Sequence, residues 1–117
     1  MTLKRINPGK RLSDATIHNG VVYLAGQVPE DASLPIREQT KSVLDQIDKI
    51  LAEAGTDKTH ILTTTIYLSS MGDFPAMNEV WDAWVGPENQ SPARATVEAR
   101  LASPDDKVEI QVIAALK

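Results

Sequence analysis

The sequence predicts an α+β domain: a single mixed sheet with two helices on one face, in the order ββαβαββ. Three observations predict it. An Asn19-Gly20 pair separates two β-rich runs, the stretch Ile36–Ala54 repeats apolar residues at steps of three and four, and the C-terminal segment alternates apolar with polar residues. With 117 residues, 42% of them apolar and 24% charged, the chain suits one domain, 1–117, around one core.

The first two strands, residues 15–18 and 21–28, form a hairpin, because Asn-Gly supplies the positive φ angles of a type I′ turn. The second of them is apolar at consecutive positions, which predicts cover on both faces. Residues 29–35 form a loop. The first helix, Ile36–Ala54, carries Ile36, Thr40, Val43, Leu44, Ile47, Ile50, Leu51 and Ala54 as one stripe, with Gly55 as its C-terminal cap. Residues 60–68 are rich in β-branched side chains and read as a strand. Asp73 is placed to cap a second helix with Pro75 in its first turn, and Gly86-Pro87 ends it. Phe74, Met77, Val80, Trp81 and Trp84 share one side of that helix. Residues 95–101 and 107–116 alternate as strands, joined by a turn at residues 103–106.

Two helices cover one face of such a sheet. The other face keeps Ile113 and Ala115 with either Val21 and Tyr23 or Val22 and Leu24, an apolar patch that predicts self-association.

Composition excludes several functions. A net charge of −4 with dispersed Lys and Arg argues against nucleic acid as a partner. The absence of cysteine removes disulfides, thiolate metal sites and Cys nucleophiles. The N-terminal residues lack the apolar core of a signal peptide, and no window approaches the ~20 apolar residues of a membrane span, so a cytoplasmic protein is expected. His18 and His60, the only histidines, lack a second ligand at helical or strand spacing, which argues against a metal. Gly20 and Gly26 form no phosphate-cradling loop, and there is no nucleophile-elbow sequence.

Two charged residues stand out. Arg94 lies between alanines at a strand entrance, where a guanidinium could grip a carboxylate with two parallel hydrogen bonds. Glu109, flanked by Val108 and Ile110, could serve as a general base or acid if desolvated. From pattern alone the commoner outcome for each is the wet side of a strand. Trp81 and Trp84 read as packing residues, and Thr63-Thr64-Thr65 as strand propensity.

From Ile17-His18-Asn19-Gly20-Val21-Val22-Tyr23-Leu24-Ala25-Gly26-Gln27-Val28 onward, the chain resembles the RidA family, also called YjgF or endoribonuclease L-PSP. The resemblance continues through Gln39 to Gly55, Asp73-Phe74-Pro75-Ala76-Met77-Asn78, Pro92-Ala93-Arg94 and Val108-Glu109-Ile110. It implies a chorismate-mutase-like fold and a homotrimer with three clefts between subunits. It also implies a cofactor-independent deaminase that hydrolyses reactive enamine/imine acids, such as 2-aminoacrylate, to 2-keto acids and ammonia. Arg94 matches the arginine that binds the substrate carboxylate, and Glu109 the glutamate that positions or activates water. Gly26 matches a backbone position lining the cleft, and Asn78 an asparagine near it. Two positions depart from the family pattern. Residues 10–14 stand where better-known members carry a Gly-Pro-Tyr segment, and Thr96 stands where they often carry Cys; Thr96 is counted with the substrate-binding residues. A non-enzymatic sensor of keto or amino acids using the same cleft is the alternative. The family's ribonuclease label is opposed by the acidic balance and the lack of a catalytic His pair.

Overall fold

The structure is a computed structural model that describes residues 2–117. Strands β1 (Lys4–Ile6), β2 (Ala15–His18) and β3 (Val21–Leu24) lead to helix α1 (Ile36–Ala54). Strand β4 (Ile61–Leu68), helix α2 (Phe74–Val85), strand β5 (Ala93–Glu98) and strand β6 (Val108–Ala115) complete the fold. The six strands form one sheet in the order β1-β2-β3-β6-β4-β5, antiparallel throughout except for the parallel β4–β5 pair at one edge. The turn after β5 thus joins two strands that are not neighbours, with β6 inserted between β3 and β4.

Side-chain alternation sorts the sheet into two faces. Val22, Leu24, Ile66, Leu68, Val108, Ile110, Val112 and Ala114 point to the helices and are fully buried. They meet Val43, Leu44, Ile47 and Leu51 of α1 and Met77 and Trp81 of α2 in one core. The molecule measures 43 × 38 × 20 Å, and its short dimension holds only one sheet and one helix layer. The opposite face carries Val21, Tyr23, Ile113 and Ala115, the first of the two sets anticipated from sequence.

The helix α1 begins and ends where its stripe does, and Gly55 closes it at φ 91° with its N–H donating to the carbonyl of Ala52. The Asn19-Gly20 turn has φ values of 52° and 77°, as type I′ requires.

Four local expectations are corrected. A short first strand, β1, precedes the hairpin and pairs with β2. Strand β3 stops at Leu24, and the chain rejoins the sheet only through the Gln27–Ile110 bridge. Its outer face is open within one chain, since Tyr23 is 44% exposed. Asp73 accepts no cap hydrogen bond; it ends a 3₁₀ turn, Met71–Asp73, whose own cap is the Ser70 hydroxyl accepting from Gly72. The 3₁₀ turn uses the N–H groups of Asp73 and Phe74, which donate to the carbonyls of Ser70 and Met71, and Pro75 offers Asp73 no N–H to cap.

Candidate functional site

Register decides where the two charged candidates face. Arg94 on β5 is the partner of Thr64 on β4, which in turn partners Val112 on β6, so all three point to the helices. Glu109 on β6 partners Tyr67 on β4, which partners Val97 on β5, and these point to the open face. Thr64 and Tyr67 are an odd number of residues apart, and side chains alternate along a strand. Arg94 and Glu109 therefore lie on opposite faces of one sheet, and a single chain cannot bring them together.

The Arg94 half is built on aromatic rings. The guanidinium carbon sits 5.3 Å from the centroid of Trp81 and 5.8 Å from that of Phe74, within cation–π range. Both rings come from α2, where i, i+7 spacing puts them on one side. Burial lowers the pKa of Arg94, and the nearby charge of Asp82 partly offsets this. The side chain stays a cation at any physiological pH. Among the described residues, Arg94 forms no ion pair. It lines an open cleft of about 660 Å³ with Asn78, Trp81, Asp82, Ser91 and Pro92.

Three polar groups on the Arg94 side of the sheet lack partners. Asn78 Oδ1, Thr96 Oγ1 and Thr64 Oγ1 are buried and make no hydrogen bond within the chain. A buried polar atom left unpaired costs about 1–3 kcal/mol, so each of these groups gains by acquiring a partner. Thr64 was legible only as part of a β-branched run; its strand parity with Arg94 is the signal that singles it out. Trp81 is a core residue, as expected, and also a wall of the cleft. Trp84 is half-buried and donates its indole N–H to Asp48 Oδ2 at 3.0 Å.

The Glu109 half is built on a missing side chain. A Cβ placed on Gly26 would collide with the carboxylate of Glu109. Gly26 is held there by reciprocal backbone hydrogen bonds between Gln27 and Ile110, at 2.8 and 3.0 Å. The structure thus places Arg94 and Asn78 in one cleft, with Thr96 on the same face of β5, and brings Gly26 and Glu109 together elsewhere. His18 and His60 line neither the Arg94 cleft nor the Glu109 contact. Among the described residues no cluster of His, Asp and Glu could hold a metal ion, and no helix is long and apolar enough to cross a membrane.

Comparison with known proteins gives a consistent picture. The family model described as Endoribonuclease L-PSP matches residues 2–116. The chain is 50% identical to a RutC family protein of Haemophilus ducreyi, over 97% of each chain. It is 46% identical to the RutC family protein YoaB of Escherichia coli, over 99% of this chain and 100% of that one. A crystal structure of a YjgF protein family member from Neisseria meningitidis superposes with a TM-score of 0.96 at 48% identity, covering 100% of this chain and 97% of the other.

Proposed function

The chain belongs to the endoribonuclease L-PSP (RidA/YjgF/RutC) family and has its chorismate-mutase-like fold, and we propose on that premise that it is an enamine/imine deaminase. Its substrates are reactive 2-imino acids of the 2-aminoacrylate type, and its products 2-keto acids and ammonia. The site is shared between subunits of a homotrimer: one supplies Arg94, Asn78 and Thr96, and its neighbour supplies Gly26 and Glu109.

The observation that carries this reading is the state of Arg94. A partly desolvated guanidinium, stacked on Trp81 and Phe74 and lining an open cleft without a carboxylate partner, is a receptor for an acid. The planar fork takes the substrate carboxylate in two charge-assisted hydrogen bonds. The opposite facing of Arg94 and Glu109 supports a shared site, because only a second copy can complete the pair.

The chemistry then needs little from the protein. An imine carbon is already electrophilic. Glu109 orients a water toward it and accepts a proton as the new C–O bond forms. The proton is returned to the nitrogen, the C–N bond breaks, and ammonia leaves. Asn78, which lines the cleft with Arg94, and Thr96, on the same face of β5, complete the substrate pocket.

The test is keto-acid release, with 2-aminoacrylate generated in situ by a lyase. Sub-stoichiometric protein should convert many equivalents of imine. Release no faster than in buffer, with keto acid still bound at the cleft, would assign the protein to sensing instead.

A further inference from the structure

A second cleft, of about 520 Å³, opens on the sheet face that carries Glu109. Arg5, Lys10, Arg11, Thr16, Tyr23 and Gln111 are among its lining residues. Register explains the placement. Arg5 partners Thr16, and Thr16 partners Tyr23, so these three form one row across β1, β2 and β3 on the open face. The β1–β2 loop folds over that row. Asn7 takes a positive φ of 48°, Gly9 N–H donates to the carbonyl of Leu12 at 2.8 Å, and Asp14 N–H donates to that of Ile6 at 3.0 Å. The resulting tight loop holds Lys10 and Arg11 at the cleft rim.

This cleft begins where the Glu109 half-site ends. Gln111 stands two residues beyond Glu109 on the same face of β6, about 7 Å along the strand. Ala25, another lining residue, directly precedes Gly26. Among the described residues, no carboxylate forms an ion pair with Arg5, Lys10 or Arg11. The whole chain carries 16 acidic and 12 basic residues, so three cations without an ion-pair partner around one hollow stand out against its net charge of −4.

We propose that this basic wall makes the site selective for 2-imino acids with a second, distal carboxylate. The inference rests on the Arg94–Glu109 reading of the site and adds its specificity. With the α-carboxylate on Arg94 and the imine carbon beside Glu109, the substrate side chain continues toward Gln111 and meets the cations. A short acidic side chain is matched there, whereas an apolar one leaves them without a partner. The reaction is unchanged in balance: water adds to the imine carbon, the C–N bond breaks, ammonia leaves, and the distal carboxylate takes no part. The product is a 2-keto dicarboxylic acid.

The experiment pairs binding with turnover on the intact assembly. Calorimetry uses 2-oxoglutarate and 2-oxobutanoate as probes. Initial rates use the imines of aspartate and alanine, generated in situ by amino-acid oxidases. The parent should favour the diacid by about ten- to hundredfold in both readouts, the effect of one charge-assisted hydrogen bond. Lys10→Ala/Arg11→Ala, both at exposed loop positions, should lose that preference by weakening the diacid alone. Raised salt should erode the preference as well. Hydrolysis of both imines with no diacid preference, or an equal loss on both in the double variant, overturns the proposal and leaves the Arg94–Glu109 reading intact. Failure to bind or hydrolyse either compound overturns both.

Discussion

The carboxylate of Glu109 occupies the space that a side chain at position 26 would need. A Cβ on Gly26 would overlap Glu109 Oε2 and come within 3.0 Å of Cδ and 3.2 Å of Cγ. The requirement is steric, since Gly26 is not among the positive-φ glycines. The open face is thereby shaped so that a carboxylate lies flat against main chain.

Gly26→Ala separates position from stability. The displaced atoms are the far end of a flexible side chain, so the carboxylate swings away and the fold loses within about 1 kcal/mol. Imine hydrolysis should fall by about 10²-fold or more, approaching the loss of a general base. The checks are initial rates and thermal melting on the same preparation. Full activity in Gly26→Ala would detach Glu109 from the chemistry.

In the proposed site, Arg94→Ala removes both hydrogen bonds to the substrate carboxylate, each worth roughly 1.5–3 kcal/mol, and should nearly abolish turnover. Arg94→Lys should not rescue it, because a point charge reproduces neither the planar fork nor its stacking on Trp81. Glu109→Gln should retain keto-acid binding and slow hydrolysis by about 10²–10⁴-fold. Steady-state kinetics and calorimetry separate the two roles. Parent-like binding and turnover in Arg94→Ala would end the assignment of this cleft.

The helix α1 and the Asn19-Gly20 turn were legible because each is encoded locally, one by a period of 3.6 and the other by residues that tolerate positive φ. Strand β1 was not. It has three residues, two of them exposed, and exists through its pairing with β2. Arg94 and Glu109 were legible as residues through their motifs, but not as a pair. Alternation gives the two faces of one strand, whereas the relation between β5 and β6 passes through the register of β4. The unpaired hydroxyl of Thr64 was hidden for the same reason. The basic cleft has no sequence signature, because Arg5 and the Lys10-Arg11 pair converge only after the β1–β2 loop has closed.

Assembly follows from the open face. Val97 is 44% exposed in one chain, and Val21, Ala95, Ile113 and Ala115 share its side of the sheet. An apolar surface of this kind is buried by association. Sedimentation equilibrium at micromolar concentration should give the mass of three chains. A monomer mass would refute both the trimer and the shared site.

Gln39 is the buried polar residue on which the loops around the sheet converge. Its side chain is fully inaccessible and ties two separate segments to α1. The two Nε2 hydrogens are shared among the carbonyls of Ala32 at 3.0 Å, Leu34 at 2.9 Å and Asp105 at 3.2 Å, and Oε1 accepts from the N–H of Lys107 at 2.8 Å. These contacts join the loop before α1 to the turn that feeds β6, two residues ahead of Glu109. Gln39→Leu keeps most of the volume and deletes every one of these bonds, leaving the half-buried main-chain groups of Ala32, Leu34 and Lys107 without this partner. With about 1–3 kcal/mol for each group that finds no water, the loss should come to about 2–5 kcal/mol. Denaturant titration of the assembled protein measures it, with the midpoint shifting while the slope stays constant. Well below the melting transition, hydrolysis by the variant should remain near that of the parent, because Glu109 is held locally by the Gln27–Ile110 pair. An unchanged midpoint would mean that water or a shifted backbone replaces the amide, and that the loops do not depend on Gln39.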